Sequence, residues 1–301
     1  MLEFRNPKIA VPVVLIAGLI WSFGPLVVRY MNDPHLIPWQ YIFGRGLTIF
    51  ILLNLYLFFE EGKNFYKNYF KIGISGLIGG SGLGIAMISF MFSITNTSAA
   101  ITLLCLAAMP FFTALLAFLF LKEKISLNVW ISIIIATIGI GIMAAGNTSD
   151  ASLIGFVFGM TSSIGFAVFS VSLRWRIETP KFTTTAFAGF FCFTFATIVI
   201  LSNDYVFFAT SYNSSLFSLH GTLVCLGLIL YSIGSKAIPA AELTLLSLTE
   251  VIGGIFWVWL PLFGINEIPT TNTIIGGFFL FISLTYYSLV MRWNKRYIGL
   301  N

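Results

Sequence analysis

The sequence predicts an all-α membrane protein of ten transmembrane helices, arranged as two inverted five-helix repeats. Three observations carry that expectation: too little charge for a water-soluble domain, ten apolar runs of spanning length, and a second half that repeats the first with its polarity reversed. Of 301 residues, 58% are hydrophobic and 9% charged, and 32 are Phe. A soluble domain of this size carries about a quarter charged residues. The deficit points to lipid as the solvent.

A helix needs about 20 mainly apolar residues to cross the hydrocarbon core. Runs of that kind cover 9–31, 38–59, 71–93, 98–121, 127–146, 152–174, 182–202, 216–236, 240–263 and 272–291. The connections are short, so no separate soluble domain fits between them. The first run follows cations and lacks a small-x-small cleavage site, so it is expected to stay as a helix and not act as a signal peptide.

The net charge of +5 raises nucleic acid as a partner, but the distribution of charge argues against it. Of sixteen Lys and Arg, Arg29 lies on the loops of one side and Arg45 within a span; the others fall on the two termini and every second loop. That is a positive-inside pattern. It predicts a multi-pass protein of the cytoplasmic membrane with both termini in the cytoplasm, and no nucleic-acid partner. Cys105, Cys192 and Cys225 all fall within apolar runs without metal-ligand spacing, and read as small apolar fillers. No metal, disulfide or cofactor is expected.

Two stretches resemble each other: "NTSAAITLLCLAAMPFFTALLAFLFLKEKISLNVWISIIIATIGIGI" from Asn96 and "AIPAAELTLLSLTEVIGGIFWVWLPLFGINEIPTTNTIIGGFFLFISL" from Ala237. Each opens on an Ala-Ala pair, continues through TLL, reaches a Glu (Glu123 or Glu267) and enters another apolar run after Asn128 or Asn272. The halves are therefore 1–150 and 151–301. Five spans is an odd number, so the two halves insert in opposite senses, which the charge map supports. Inverted repeats are characteristic of secondary transporters, whose substrate sites lie near the midplane between repeats.

Three further pieces, "LIAGLIWSFGPLVVRY", "PWQYIFGRGLTIFILL" with its Arg45, and "MPFFTALLAFLFLKEKIS", complete a resemblance over nearly the whole chain. In their order within a doubled arrangement, the chain resembles EamA-like members of the drug/metabolite transporter superfamily. The resemblance implies a carrier of small metabolites. One departure concerns the ninth span, where such families often have Glu followed by Pro; here Glu250 is followed by Val251.

Glu250 lies ten residues into its run, roughly 15 Å deep, near the centre of a core about 30 Å thick. A carboxylate there costs on the order of 3 kcal/mol unless it faces protein or water, so intramembrane acids mark functional sites. Thr244, Ser247, Glu250, Gly254 and Trp257 recur at helical spacing, and Trp257 is the aromatic expected beside an amine held by Glu250. The competing reading is a structural carboxylate with a buried partner. Arg45, roughly 10 Å deep, shares a face with Tyr41 and Thr48. It reads either as a structural clamp or as an anchor for a carboxylate, and with Glu250 it suits a zwitterion such as an amino acid. Glu242, following Pro239, reads as structural, since an anion in a first helical turn complements the helix dipole.

Trp21 and Ser22 beside Pro25, Thr102 with Cys105 and Met109 beside Pro110, and Ser163 in the sixth span are further candidates for a cavity wall. Such stripes serve equally as helix–helix glue. Gly76, Gly80 and Gly84 on the third span favour close packing. An enzyme reading rests on "GISG" at Gly73–Gly76, but Ser75 and His220 fall near opposite membrane surfaces, beyond the reach a nucleophile and base need. The expected function is thus a secondary transporter, not an enzyme, moving a small organic metabolite (amino acid or amine-like) by alternating access, with protons as a possible coupled ion. A lipid flippase is the alternative. Substrate-binding candidates are Glu250, Arg45, Trp257, Ser247, Tyr41, Trp21, Ser22, Thr102, Met109 and Ser163.

Overall fold

The computed structural model describes residues 7–146, 152–176, 178–265 and 267–298, and among these every regular element is helical. The order is α1 (Pro7–Trp21), α2 (Gly24–Arg29), α3 (Pro38–Glu61), α4 (Gly73–Asn96), α5 (Ala99–Leu106), α6 (Met109–Leu116), α7 (Leu127–Gly146), α8 (Leu153–Trp175), α9 (Lys181–Ser202), α10 (Ser211–Gly234), α11 (Ala240–Leu246), α12 (Thr249–Trp259) and α13 (Thr271–Ile298). Several starts carry the side chain that a helix N-terminus needs. Ser98 accepts from the Ile101 amide at 3.3 Å, Ser152 from Gly155 at 3.3 Å and Thr210 from Asn213 at 3.3 Å.

Eight helical segments among the described residues are long and apolar enough to cross a membrane. They correspond to the first four expected spans and the sixth to ninth. The fifth falls on α7, with a shorter apolar stretch at Leu127–Ile142, and the tenth on α13.

Three expected spans are interrupted. The first breaks at Ser22–Phe23 between α1 and α2, where Pro25 lacks the amide an unbroken helix requires. The fourth breaks at Ala107–Ala108, just before Pro110. The ninth breaks at Ser247–Leu248 and then stops at Trp259 rather than running to 263. Leu260 is held in the extended region (φ −60°, ψ 122°), as the residue before a proline prefers, and Pro261 follows.

Packing inverts the pattern of a soluble protein. Large apolar side chains such as Phe59, Phe118 and Phe278 point outward, while Arg45, Ser93, Thr102, Ser163, Ser170 and Thr244 are buried. The closest helix pairs are α4 on α8, α7 on α13, α3 on α9, α1 on α10, α4 on α9 and α3 on α10. The broken helices cross between them, α5 against α12 and α6 against α11.

Glycine sets how near these helices come. A Cβ on Gly82 would sit 3.0 Å from the Gly165 carbonyl on α8, and one on Gly165 would sit 2.6 Å from the Gly82 carbonyl. Two residues earlier, roughly half a turn round the helix, a Cβ on Gly80 would lie 2.8 Å from the Thr184 carbonyl on α9. The glycines of α4 thus serve two neighbours. Without a hydrophobic drive between helices in lipid, backbone-to-backbone approach of this kind supplies the association.

Candidate functional site

A cavity lies where α1, α3, α4, the α5–α6 break, α8, α10 and α12 meet. Its ionisable lining residues are Arg45, His220 and Glu250, and its aromatic walls are Trp21, Phe90 and Phe166. Leu83, Ala86 and Met87 on α4, Leu106 and Met109 at the α5–α6 break, Ser162 on α8, and Val224 and Leu228 on α10 complete it.

Arg45 is 2% exposed. Its Nη2 donates to the Met87 carbonyl at 2.5 Å, and its guanidinium carbon lies 5.3 Å from the Tyr41 ring centroid and 5.9 Å from that of Phe90. A carbonyl and two ring faces are the partners that let a guanidinium stay charged away from water. Tyr41, fully buried behind it, shares a hydrogen bond with Nδ1 of His220. The other edge of that imidazole rests on Gly24, where a Cβ would come within 2.7 Å of Nε2.

Glu250 is held differently. It sits in the first turn of α12, where the helix dipole favours an anion by about 0.3–1 kcal/mol. Its backbone amide bonds to Ser247 at 2.9 Å and the Val251 amide to Leu248 at 3.0 Å, so the break is a tight i−3 turn. The Leu246 carbonyl, passed over by that turn, accepts instead from Thr249 Oγ1 at 3.2 Å. The Glu250 carboxylate makes no hydrogen bond or ion pair with any described residue, and it faces the cavity. An unpartnered carboxylate away from bulk water is costly; a proton, an amine or water entering the cavity offsets that cost. Arg45 and Glu250 therefore share a space without pairing across it.

Trp21, at the end of α1, supplies another part of the wall. Its indole donates to the Val224 carbonyl at 3.2 Å, and its ring meets Phe166 at 5.6 Å and Tyr231 at 5.5 Å. Gly227 makes room for it, since a Cβ there would fall 2.1 Å from Nε1.

Residues 8–145 match the EamA-like transporter family. Two proteins of Helicobacter pylori, each named an uncharacterized transporter, are similar to this chain: one from strain J99 is 27% identical and one from strain 26695 is 26% identical, both over 167 residues. Each match covers 54% of this chain and 54% of the relative, so the chain spans about half the length of the curated relatives it matches. A solved protein crystal structure superposes with a TM-score of 0.72, covering 95% of this chain and 99% of that one at 14% identity; that likeness is one of fold. With its apolar helices, the chain is a multi-pass membrane protein.

Of the residues expected at the site, Glu250, Arg45, Trp21 and Met109 line the cavity. The EamA-like segment thus contributes Trp21, Arg45 and Met109, and the second half contributes Glu250. The other six lie outside the lining. Trp257 stacks on Phe23 at 4.6 Å and donates to Ser22 Oγ at 2.8 Å. The periodicity that joined it to Glu250 places it two turns further along α12, roughly 10 Å away along the axis. Ser247 is turned to its own helix, bonding the Thr244 carbonyl at 2.8 Å. Tyr41 stands behind Arg45. Thr102 bonds Ser93 at 3.0 Å, and Ser163 bonds the Cys105 carbonyl at the α5–α6 break.

The wall has residues that sequence reasoning passed over. Ser162, one position from Ser163, reaches the cavity and donates to the Ala86 carbonyl at 2.9 Å. His220 was weighed only as a protease base, yet a histidine in an apolar run is itself a signal. Ser75, its supposed nucleophile, bonds Thr179 at 2.5 Å and is not brought to it. Glu242 bonds the Tyr287 hydroxyl, in keeping with a structural role.

Proposed function

We propose that this chain is an EamA-like secondary transporter of ten spans in two inverted halves, moving a small organic solute through the central cavity by alternating access. The observation that carries this reading is the unpartnered Glu250 carboxylate facing a cavity that also holds the buried Arg45 guanidinium. Opposite charges left unpaired across one space suit a solute carrying both an amine and an acid, such as an amino acid. Trp21, Phe90 and Phe166 would pack its apolar part, and the amine would find both charge and π faces.

The division into halves 1–150 and 151–301 is supported by the helix contacts, which come in exchangeable sets. Exchanging the halves turns α4 on α8 into α10 on α1, and α4 on α9 into α10 on α3. It leaves α3 on α9 and α7 on α13 unchanged. The two broken helices, α5–α6 and α11–α12, occupy the same place in each half. The positive-inside charge distribution supports cytoplasmic termini and a cytoplasmic-membrane location.

The test is uptake into proteoliposomes of a pooled metabolite library, with and without an imposed pH gradient, for the wild type and Glu250→Gln. Loss of uptake by at least about tenfold in the variant, equal to about 1.4 kcal/mol of lost interaction, is expected. Accumulation only under the gradient makes Glu250 the proton coupler as well. Uptake that survives Glu250→Gln unchanged removes this residue from the mechanism. Scrambling of labelled lipids with no solute movement replaces the reading with a flippase.

A further inference from the structure

Two ion pairs are found among the described residues, and they stand at opposite ends of the bundle. Arg29, in the last turn of α2, donates through Nε to Glu267. Arg174, in the last turn of α8, donates through Nε to Glu123 at 2.8 Å. Thr97, which Arg29 also contacts, precedes α5, whereas Glu123 follows the helical stretch that α5 and α6 form. About 26 residues at 1.5 Å each separate them, roughly 39 Å, so one pair lies at each surface.

The two arginines make the same set of bonds. Arg29 adds the carbonyls of Ile94 at 3.1 Å and Thr97 at 3.4 Å, at the end of α4. Arg174 adds the carbonyls of Ser235 at 3.3 Å and Ile238 at 3.1 Å, past the end of α10. Each arginine thus holds the end of a helix from its own half of the chain and a glutamate from the other half. In each case that glutamate follows a broken helix, α12 for Glu267 and α6 for Glu123.

We infer that Arg29–Glu267 and Arg174–Glu123 are a matched pair of latches that seal the two ends of the central cavity and open one at a time. The inference rests on the alternating-access reading above. Opening the cavity at either surface means parting helices that line it, and each arginine ties such helices: Arg29 joins α4 to the segment after α12, and Arg174 joins α8 to the end of α10. The four side chains are 21–33% exposed, and ion pairs that touch water are weak enough to break and remake reversibly. Arginine suits the position because one planar group bonds a carboxylate and two carbonyls together. Both latches are closed in this structure, which is the arrangement an occluded carrier passes through between its two open forms.

The test reads access to the cavity without any substrate, so it separates failure of the latch from failure of the transport reading. A reporter, Val224→Cys on the cavity wall, is introduced in the full chain. It is labelled with a membrane-impermeant maleimide from either face in right-side-out and inside-out vesicles, with the chain lacking the reporter as background for Cys105, Cys192 and Cys225. Glu267→Gln is expected to raise labelling severalfold from one face only, and Glu123→Gln severalfold from the other face only. Exchange of the charges, Arg29→Glu with Glu267→Arg, is expected to return labelling to the reporter's own level. If both neutralised variants leave labelling unchanged from both faces, or raise it equally from both, the pairs are structural braces and the inference is overturned. Glu→Gln variants that no longer insert, with an exchanged pair that inserts but labels from both faces, overturn it equally.

Discussion

In α5–α6 the helix is interrupted at Ala107–Ala108 and Pro110 follows, so the Leu106 carbonyl has no amide four residues on. In α11–α12 the interruption falls at Ser247–Leu248 with no proline near. There Thr249 and Ser247 hydroxyls take backbone carbonyls, of Leu246 and Leu15 for the first and Thr244 for the second. One break is imposed by a missing donor, the other by hydroxyls competing with amides for the same acceptors. What each break shows the cavity differs too: Leu106 and Met109 from the first, Glu250 from the second. The comparison teaches that a bend and a charge are separable, and that the second half carries the charge at its bend.

The sharpest way to break the comparison is at the two positions the breaks present to the cavity, Glu250 and Met109. Glu250→Gln is expected to cut solute uptake by at least about tenfold, whereas Met109→Leu, which keeps volume and polarity, should change it by less than about threefold, under ~0.7 kcal/mol. Equal losses would put the chemistry in the shape of the cavity and not in the carboxylate.

Proline insertion tests where a helix truly starts. Ile255→Pro, inside α12, is expected to destabilise by about 3 kcal/mol. Val251→Pro falls in the first turn and forfeits one bond, from the Val251 amide to Leu248 at 3.0 Å, so about 1 kcal/mol is expected. Thermal unfolding of purified protein in detergent reads the difference, and equal shifts would mean that the break is not a helix start. The smallest effects belong to the hydroxyls. Thr249→Val and Ser163→Ala should each cost about 0.6 kcal/mol, and the two should add, since they serve different breaks.

Much of this architecture was legible in the residues. Apolar runs located the helices because lipid leaves the chain so few alternatives, and Glu250 and Arg45 stood out as lone charges within such runs. Trp257 was drawn to Glu250 because helical spacing puts both on one face of α12, but two turns along that face its partners are Ser22 and Phe23, in the break between α1 and α2. Ser163 was chosen over Ser162 because neighbouring serines differ by only 100° of rotation, and nothing local says which of them reaches the cavity. The α4 wall of Leu83, Ala86, Met87 and Phe90 carries no polar mark, so its helical spacing is indistinguishable from a lipid-facing one. Glu123 and Glu267 were recognised as equivalent in sequence, but their partners lie 51 and 238 residues away.

The contact between Gly82 and Gly165 has a mechanical consequence. Where side chains interdigitate, a shift of one helix past another must unseat each knob from its hole, and packed cores resist this. Along the seam between α4 and α8, the Gly82 and Gly165 peptide groups approach each other directly, with the Val168 side chain beside them, so part of the contact has no rotamers to reset. Displacement there is nearer to a slide along a rail than to the turning of a gear. A seam of that kind lets one element shear against its neighbour while holding their separation constant, so the bundle can change shape lengthwise without loosening sideways.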